Sequence, residues 1–281
     1  MSSALSARTP IAELEAIARR VRTHIVQMVY NAQSGHPGGS LSAVDLGVAL
    51  FWNHLRCDPA NPHWPDRDRF ILSKGHATPF YYALLAERGY FSPELLAGFR
   101  TLGSKLQGHP SMDALPGIEM SGGSLGQGLS FAIGQALAGR LDGRDYRSWV
   151  LMGDGELNEG QVWEAAMAVR HFGLGDRVIA IVDRNGIQND GFGDTIMKID
   201  PPAMFRGFGW HVIECDGHDM ADVDRALAEA ETPRDEPRCV VAHTIKGRGV
   251  SFMENNAAFH GKAPTAEQLQ TALAEIEAGL R

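Results

Sequence analysis

The sequence has few cysteines and no long apolar run. Its three cysteines, Cys57, Cys215 and Cys239, lie far apart in a chain of 281 residues and have no metal-ligand spacing. No apolar run approaches ~18 residues, and residues 1–10 carry no apolar segment of the kind that directs secretion. These absences argue against a disulfide framework, a cysteine-bound metal, secretion and membrane insertion. We therefore expect a reduced, cytoplasmic protein.

Positive charge is also scarce. The chain has 26 Lys and Arg against 34 Asp and Glu, a formal net charge of −8, and it has no basic cluster. A nucleic-acid partner is therefore not expected, and an anionic substrate would have to be recognised by local groups. No linker, low-complexity tract or repeat divides the sequence. We predict one α/β domain over residues 1–281, with an N-terminal helical layer.

The rest of the chain is organised around Gly153-Asp154-Gly155. This stretch follows the apolar run 149–152 and precedes a helical pattern over residues 160–171. A second apolar run, 178–182, stops at the polar turn 183–187. The pattern predicts a strand–helix–strand unit in a mostly parallel sheet with helices on both faces. Both turns would then lie at the carboxyl ends of their strands, where such sheets bind ligands.

The same periodicity predicts the other elements. Helices are expected over residues 10–33, 42–52, 78–88, 220–230 and 265–278, and strands over 70–72, 212–215 and 239–242. A further helix, with a glycine-rich start at residues 123–128, is expected to run to about residue 141. Segments rich in Gly, Pro and Ser predict loops at 34–40, 58–68 and 103–123. Small residues in the helix that ends near residue 141 permit close packing on another backbone, either within the domain or at a subunit contact.

The two central turns offer oxygen ligands for a cation. Asp154 supplies a carboxylate, Asn185 a side-chain amide and Ile187 a main-chain carbonyl. Mg²⁺ prefers about six oxygens and usually shares its shell with substrate phosphates. A tight turn with Asp154 as the helix N-cap is the alternative for Gly-Asp-Gly alone, but the second turn at this spacing favours the metal.

Four of the eleven histidines lie beside glycines in predicted loops. His36, His76 and His109 each follow a glycine, and His260 precedes one. Imidazole can bind phosphate or sugar hydroxyls near neutral pH. Any one of them could be an ordinary hydrogen-bonded loop residue, but four in such settings favour a site. We assign His218 to turn formation and helix capping.

The order of these motifs resembles a known family. Gly153-Asp154-Gly155 followed by Asp183-Arg184-Asn185 resembles the thiamine-diphosphate motif, and residues 156–165 resemble its transketolase branch. Four further segments resemble transketolase signatures in the family's order: Ser34 to Gly38, Ser73 to His76, Gly108-His109-Pro110 and His260. The resemblance implies the diphosphate-type thiamine-diphosphate-binding fold and transfer of a two-carbon ketol unit from a ketose phosphate to an aldose.

The resemblance also implies roles for individual residues. His76 and His260 would contact the cofactor diphosphate, and the backbone at Gly155 would touch it. His36, His109 and His260 would act on the sugar. Ser124, Leu125 and Gly126 would line the cofactor, and Asp154, Asn185 and Ile187 would hold Mg²⁺, with Ca²⁺ or Mn²⁺ as possible substitutes. An acidic residue at Glu159 would communicate across a subunit interface, with a solvated helix face as the alternative.

The resemblance covers only the first part of a full-length transketolase. The glutamate that activates the cofactor belongs to a pyrimidine-binding domain that this sequence lacks. We therefore expect the N-terminal subunit of a two-component transketolase, completed by a separately encoded C-terminal subunit in a heterotetramer. Ser124 and Phe259 depart from the proline and tryptophan that are frequent in the family, but neither change removes a metal or proton-transfer group.

Two alternatives stay open at this point. The α subunit of a 2-oxo-acid dehydrogenase also carries Gly-Asp-Gly, although it would not be expected to show the histidine-bearing segments. A non-catalytic, cofactor-binding or regulatory subunit is the other, and the intact Asp154, Asn185 and histidines disfavour it. The sequence does not decide which phosphorylated or sulfonated sugar is used.

Overall fold

The computed structural model describes residues 8–279 and contains a five-stranded parallel sheet. Along the chain its strands are β1 (Arg69–Leu72), β2 (Ser148–Gly153), β3 (Val178–Arg184), β6 (His211–Asp216) and β7 (Arg238–His243). Their order across the sheet is β1-β2-β3-β7-β6. Two short strands, β4 (Ile187–Gln188) and β5 (Gly191–Phe192), form a separate antiparallel hairpin. The predicted mostly parallel sheet is confirmed.

Helices cover both faces of the sheet. They are α1 (Ile11–Ala32), α2 (Pro37–Leu41), α3 (Val44–Ala49), α4 (Thr78–Arg88), α5 (Gly128–Leu141), α6 (Gly160–His171), α7 (Gly193–Ile196), α8 (Pro201–Gly207), α9 (Met220–Glu231) and α10 (Ala266–Ala278). A π-helical turn, Leu50–His54, continues α3. Within residues 8–279, none of the helices has the length and apolar character needed to cross a bilayer.

The central strands are buried on both sides, as expected for a covered parallel sheet. Trp149 and Leu151 of β2 enter one apolar core, which also contains residues of α1, α3, α4, α9 and α10. Val150 and Met152 point to the opposite core, which also contains residues of α5, α6 and α8. Alternate side chains of β2 therefore pack against two different helical layers.

Two segments rich in Gly and Pro, among them the predicted loop 34–40, contain regular structure. Residues 34–40 include most of α2, where Pro37 occupies the first turn and needs no amide donor. A methyl group on Gly38 would lie 3.0 Å from the carbonyl oxygen of Phe259, so a larger residue here would require that neighbouring backbone to shift. The Gly- and Pro-rich segment after β3 contains the β4–β5 hairpin and the helices α7 and α8.

Candidate functional site

The turns that follow β2 and β3 meet at the carboxyl edge of the sheet. Gly153 lies opposite Asp183 in the parallel register. The Asp154 carboxylate accepts a hydrogen bond of 2.6 Å from the Gly186 amide, and the Asn185 amide oxygen accepts one of 3.2 Å from the amide of Ile187. The three predicted metal ligands are thus brought into one pair of neighbouring turns.

The chemistry of this donor set suits a hard cation. Burial and the nearby charge of Asp183 raise the pKa of Asp154 to about 6, so a cation would stabilise its charged form. The carboxylate, the Asn185 amide oxygen and the Ile187 carbonyl are all oxygen ligands. No group of three His, Cys, Asp or Glu side chains across residues 8–279 could hold a metal without other donors. The set therefore fits Mg²⁺ that shares its shell with a bound phosphate.

Asp183 is a fully buried carboxylate that organises the strand ends. Its oxygens accept hydrogen bonds from Ser42 at 2.6 Å, from Lys74 and from Thr244. Burial alone would raise its pKa, but the ion pair with Lys74 and these hydrogen bonds hold the pKa below its ordinary value. The Lys74 ammonium also donates to the carbonyl of Gly39 at 2.7 Å. One charge pair therefore joins the ends of β1 and β3 to the α2 segment.

Three of the predicted histidines form a packed cluster. The ring centroid of His36 lies 5.3 Å from that of His76 and 5.4 Å from that of His260, and the His76 and His260 rings stack at 5.4 Å. Burial lowers the pKa of His36 to about 4 and that of His260 to about 3, with further lowering by neighbouring cations. The pKa of His76 is also well below its ordinary value, mainly through burial. All three are therefore neutral at pH 7.

His109 lies on the loop that faces this cluster. A methyl group on Gly123 would lie 3.5 Å from its ring, and the carbonyl before it, on Gly108, accepts a hydrogen bond of 2.9 Å from Thr78. Burial and the charge of Arg100 lower the pKa of His109, and His109 in turn lowers that of His36. The four predicted histidines thus occupy one region at the sheet edge.

The glycine-rich loop, residues 123–127, precedes α5 and contacts the segment that follows β2. Gly126 has φ +80°, and a methyl group there would lie 2.8 Å from the Cβ of Glu159. The Leu125 carbonyl accepts from Gln161 Nε2 at 3.0 Å, whereas Ser124 is exposed. The Gly155 amide, predicted to touch a diphosphate, donates to the carboxylate of Asp154 at 2.9 Å.

Known proteins are similar to this chain in sequence and in architecture. Residues 14–277 match the family model described as the thiamine diphosphate binding domain of transketolase. The chain is 40% identical over 264 residues to an apulose-4-phosphate transketolase subunit of Phocaeicola vulgatus, covering 94% of this chain and 93% of that relative. It is 41% identical over 266 residues to the 6-deoxy-6-sulfo-D-fructose transketolase subunit SqwG of a Clostridium species, covering 94% and 96%.

The chain belongs to the transketolase family. Its fold matches transketolase from Campylobacter jejuni with a TM-score of 0.90 and 32% identity, and transketolase from Leishmania mexicana with a TM-score of 0.89 and 32% identity. Each match covers 96% of this chain but only 43% and 42%, respectively, of those longer chains. This transketolase domain therefore spans about two fifths of the solved transketolases. The family match decides against a 2-oxo-acid dehydrogenase subunit.

Lys246 lies among the candidate site residues but was not predicted from the sequence. Its buried ammonium donates to the Ile187 carbonyl and contacts His260 Nδ1, at 2.8 Å in each case. Burial and the charge of Lys74 lower its pKa to about 8. It follows β7 just as Asp154 follows β2, and this position at a strand end is the signal that could have identified it.

Arg100 was also missed. Its guanidinium donates to Ser34 at 2.8 Å, lies close enough to His36 and His109 to lower both pKa values, and leaves its buried Nε without a partner among the described residues. Only its place nine residues before His109 on the same loop marks it in the sequence.

The capping prediction for His218 was wrong. Asp219 caps α9, accepting from the amides of Ala221 and Asp222 at 3.0 and 3.3 Å. His218 instead bonds Asp45 through Nδ1 at 2.9 Å and accepts the Ile245 amide at Nε2 at 2.8 Å. Since Nε2 accepts, Nδ1 carries the proton, and the ring links α3 to the loop that carries Lys246.

Proposed function

We propose that this transketolase domain is the cofactor-binding subunit of a two-component transketolase. It moves a two-carbon ketol unit from a ketose phosphate to an aldose with thiamine diphosphate and Mg²⁺, and it is active only with a separately encoded C-terminal subunit. The observation that carries the proposal is that Lys246 joins the turn of the proposed oxygen ligands to the neutral histidine cluster, through the Ile187 carbonyl and His260.

The extent of the similarity supports a divided enzyme. Relatives named as transketolase subunits are matched over 93% and 96% of their length, whereas the transketolase of Cupriavidus necator encoded on a plasmid is matched over 40%. The remaining part of a full-length transketolase, with the glutamate that activates the cofactor, would be supplied by the partner subunit. We infer a cytoplasmic heterotetramer with two copies of each chain.

The residues present fit the cofactor and its metal. Asp154, Asn185 and Ile187 would hold Mg²⁺, while His76 and His260 would meet the diphosphate. Lys246 adds a cation beside them, and Ser124 to Gly126 would line the cofactor. When bound, thiamine diphosphate supplies the carbon nucleophile that carries the two-carbon unit. The metal would anchor the diphosphate and orient it rather than activate water.

The chain's own side chains act on the sugar. His36 and His109 can donate and accept hydrogen bonds in their neutral forms, so they suit the hydroxyls of the donor and the proton movements that accompany carbon–carbon bond cleavage. The buried Nδ1 of His36 has no partner among residues 8–279 and is available to a ligand. Arg100 places a permanent positive charge beside both rings, where it can attract an anionic substrate.

Replacing either metal ligand tests the cofactor assignment. Asp154→Ala and Asn185→Ala should each weaken Mg²⁺-dependent binding of thiamine diphosphate, because each removes one oxygen from the proposed shell. Calorimetric titration of the assembled enzyme with and without Mg²⁺ measures this loss. Unchanged affinity in both variants would remove the metal assignment.

Ketol transfer tests the function itself. We would measure transfer from xylulose 5-phosphate to ribose 5-phosphate with this chain alone and with its co-purifying partner, in the presence of Mg²⁺ and thiamine diphosphate. Activity only in the mixture is expected. If the mixture is inactive with pentose phosphates, other phosphorylated and sulfonated ketoses serve as donors in the same assay. No transfer from any of them, or full activity of the chain alone, would contradict the proposal.

A further inference from the structure

Glu156 is a buried carboxylate that the proposed chemistry does not use. It lies in the short turn after β2 and is only 2% exposed. Its Oε1 accepts hydrogen bonds from the Ser73 hydroxyl and, at 2.7 Å, from the Gly126 amide. Its Oε2 accepts from the Gly153 amide at 3.1 Å. All three donors come from segments that border the candidate site.

Each donor lies next to a different part of that site in the chain. Ser73 precedes Lys74, which pairs with Asp183, and Gly153 precedes the metal ligand Asp154. Gly126 belongs to the loop predicted to line the cofactor. The Ser73 hydroxyl also accepts the amide of Gly128, at the start of α5, at 3.0 Å. Glu156 therefore ties the ends of β1 and β2 to the glycine-rich loop and to α5.

The glycine-rich loop has few other ties to the domain. Gly126 has φ +80°, so residues 124–126 do not continue a regular element. Their other side-chain tie among the described residues is the bond from Gln161 to the Leu125 carbonyl. Losing the Glu156 bond would leave the buried Gly126 amide without its acceptor, a change that usually costs more than the bond itself contributes.

Glu156 also has no ion-pair partner to compensate its charge. No Lys, Arg or His of residues 8–279 forms an ion pair with it, and the three donated hydrogen bonds are its direct stabilising contacts. Burial raises its pKa, and the hydrogen bonds, followed by the charge of Lys74, oppose that rise. A carboxylate placed here costs desolvation energy that an apolar residue would avoid. The carboxylate nevertheless accepts hydrogen bonds from three donors at once.

We propose that Glu156 is a positioning residue for the cofactor. By accepting hydrogen bonds from Gly126, Gly153 and Ser73 together, Glu156 sets the separation between the glycine-rich loop and the turn that follows β2. It thereby preforms the surface that receives thiamine diphosphate. The identity of the ligand rests on the proposed function, whereas the role of Glu156 in ordering the loop does not.

Glu156→Gln separates positioning from general stability. The amide retains one acceptor oxygen but presents an NH₂ group to one of the amide donors, so one bond must be lost. In the assembled enzyme with Mg²⁺, we expect the KM for thiamine diphosphate to rise about 10-fold while kcat changes less than about 2-fold, since a preformed binding surface acts mainly on affinity. In the chain alone, hydrogen–deuterium exchange should rise across residues 121–128.

Glu87→Gln is the matched control. Glu87 of α4 is also a largely buried glutamate, and it forms ion pairs with Arg20 and His24 of α1. This variant should lower the melting temperature without changing the KM for the cofactor or exchange at residues 121–128. Ser73→Ala provides a second variant of the same network, and its effect on the KM should be less than additive with that of Glu156→Gln.

The outcomes distinguish the two proposals. If Glu156→Gln leaves both the KM and the exchange unchanged, or changes them no more than Glu87→Gln at equal loss of melting temperature, Glu156 is not a positioning residue. If the unmodified chain and its partner transfer no ketol unit, the proposed function fails, and the exchange comparison in the chain alone still decides whether Glu156 orders the loop.

Discussion

The packed imidazoles make the site responsive to acid. His36 and His260 have pKa values of about 4 and about 3 in the folded chain, against an ordinary value of 6.5. Between the folded pKa values and 6.5, the unfolded chain binds more protons than the folded chain, so the free energy of unfolding rises with pH. The stabilising contribution of neutral packing is complete above about pH 6.5 and is lost as the pH falls toward the folded values.

Removing one of these imidazoles should flatten the acid response. The melting temperature of the isolated chain should fall between pH 7.5 and pH 5, and it should fall less in His36→Gln, because the amide does not titrate. Calorimetry at both pH values measures the difference. His171→Gln, on the exposed end of α6, is the control and should keep the full response. An equal drop in His36→Gln and the unmodified chain would show that this imidazole is not a source of the acid sensitivity.

His109 should affect catalysis without affecting the cofactor. It lies beside Gly123, on a different loop from the oxygen ligands around Asp154. We expect His109→Ala to bind thiamine diphosphate normally and to lower ketol transfer by about 10²- to 10⁴-fold, the usual range for a proton-transfer group. Steady-state kinetics of the assembled enzyme and a cofactor titration check both halves. Normal turnover would make His109 a structural loop residue.

The strands and helices depend on one buried ion pair at their ends. Lys74 after β1 and Asp183 in β3 are 1% and 0% exposed, and Asp183 also binds Ser42 and Thr244. Removing one partner from such a pair leaves an uncompensated charge, which typically costs about 3–5 kcal/mol. The pair should therefore control the stability of the whole sheet edge on which the site is built.

Two variants test this role of the pair. Lys74→Met should lower the free energy of unfolding by about 3–5 kcal/mol, and Lys74→Met with Asp183→Asn should recover part of that loss, because the amide is neutral yet still accepts from Ser42. Urea unfolding of the isolated chain measures both. Arg225→Met, which breaks two partly exposed ion pairs on α9, should cost less than about 1 kcal/mol. A loss equally small in Lys74→Met would contradict the argument.

Regular elements were predictable where periodicity and end signals coincide. The predicted bounds of α4 and α6 match the structure. The helix α4 ends at Arg88, before a left-handed Gly89, and α6 begins at Gly160, after the short turn that follows β2. The helix α2 was missed because its five residues include two glycines and a proline, a composition typical of loops. It is helical because all five residues are buried, which is tertiary information.

The site was predictable to the extent that short-range signals mark it. Glycine neighbours and strand ends indicated Asp154, Asn185 and the four histidines. Lys246 also follows a strand and was overlooked, whereas Arg100 carries no such signal. Their contacts became visible because the fold brings distant segments within about 3 Å of each other. Glu156 was visible as part of a family segment, but its three donors come from three separate stretches of the chain.

A site divided between two chains must couple cofactor binding to assembly. In the proposed enzyme, the oxygen ligands and histidines lie at one edge of this chain's sheet, and the groups that activate the cofactor would come from the partner. If the partner raises the affinity of this chain for thiamine diphosphate by some factor, the cofactor must strengthen association of the two subunits by the same factor at each site.

This reciprocity gives a measurable expectation for the whole enzyme. A 100-fold gain in cofactor affinity on mixing would require about 2.7 kcal/mol of added association energy per site. Sedimentation of the two subunits with and without thiamine diphosphate and Mg²⁺ gives the association constants, and calorimetry gives the cofactor affinities. Asp154→Ala is the control, since it should weaken the coupling while leaving association without cofactor unchanged. Cofactor affinity that is the same with and without the partner would show that the site is not shared.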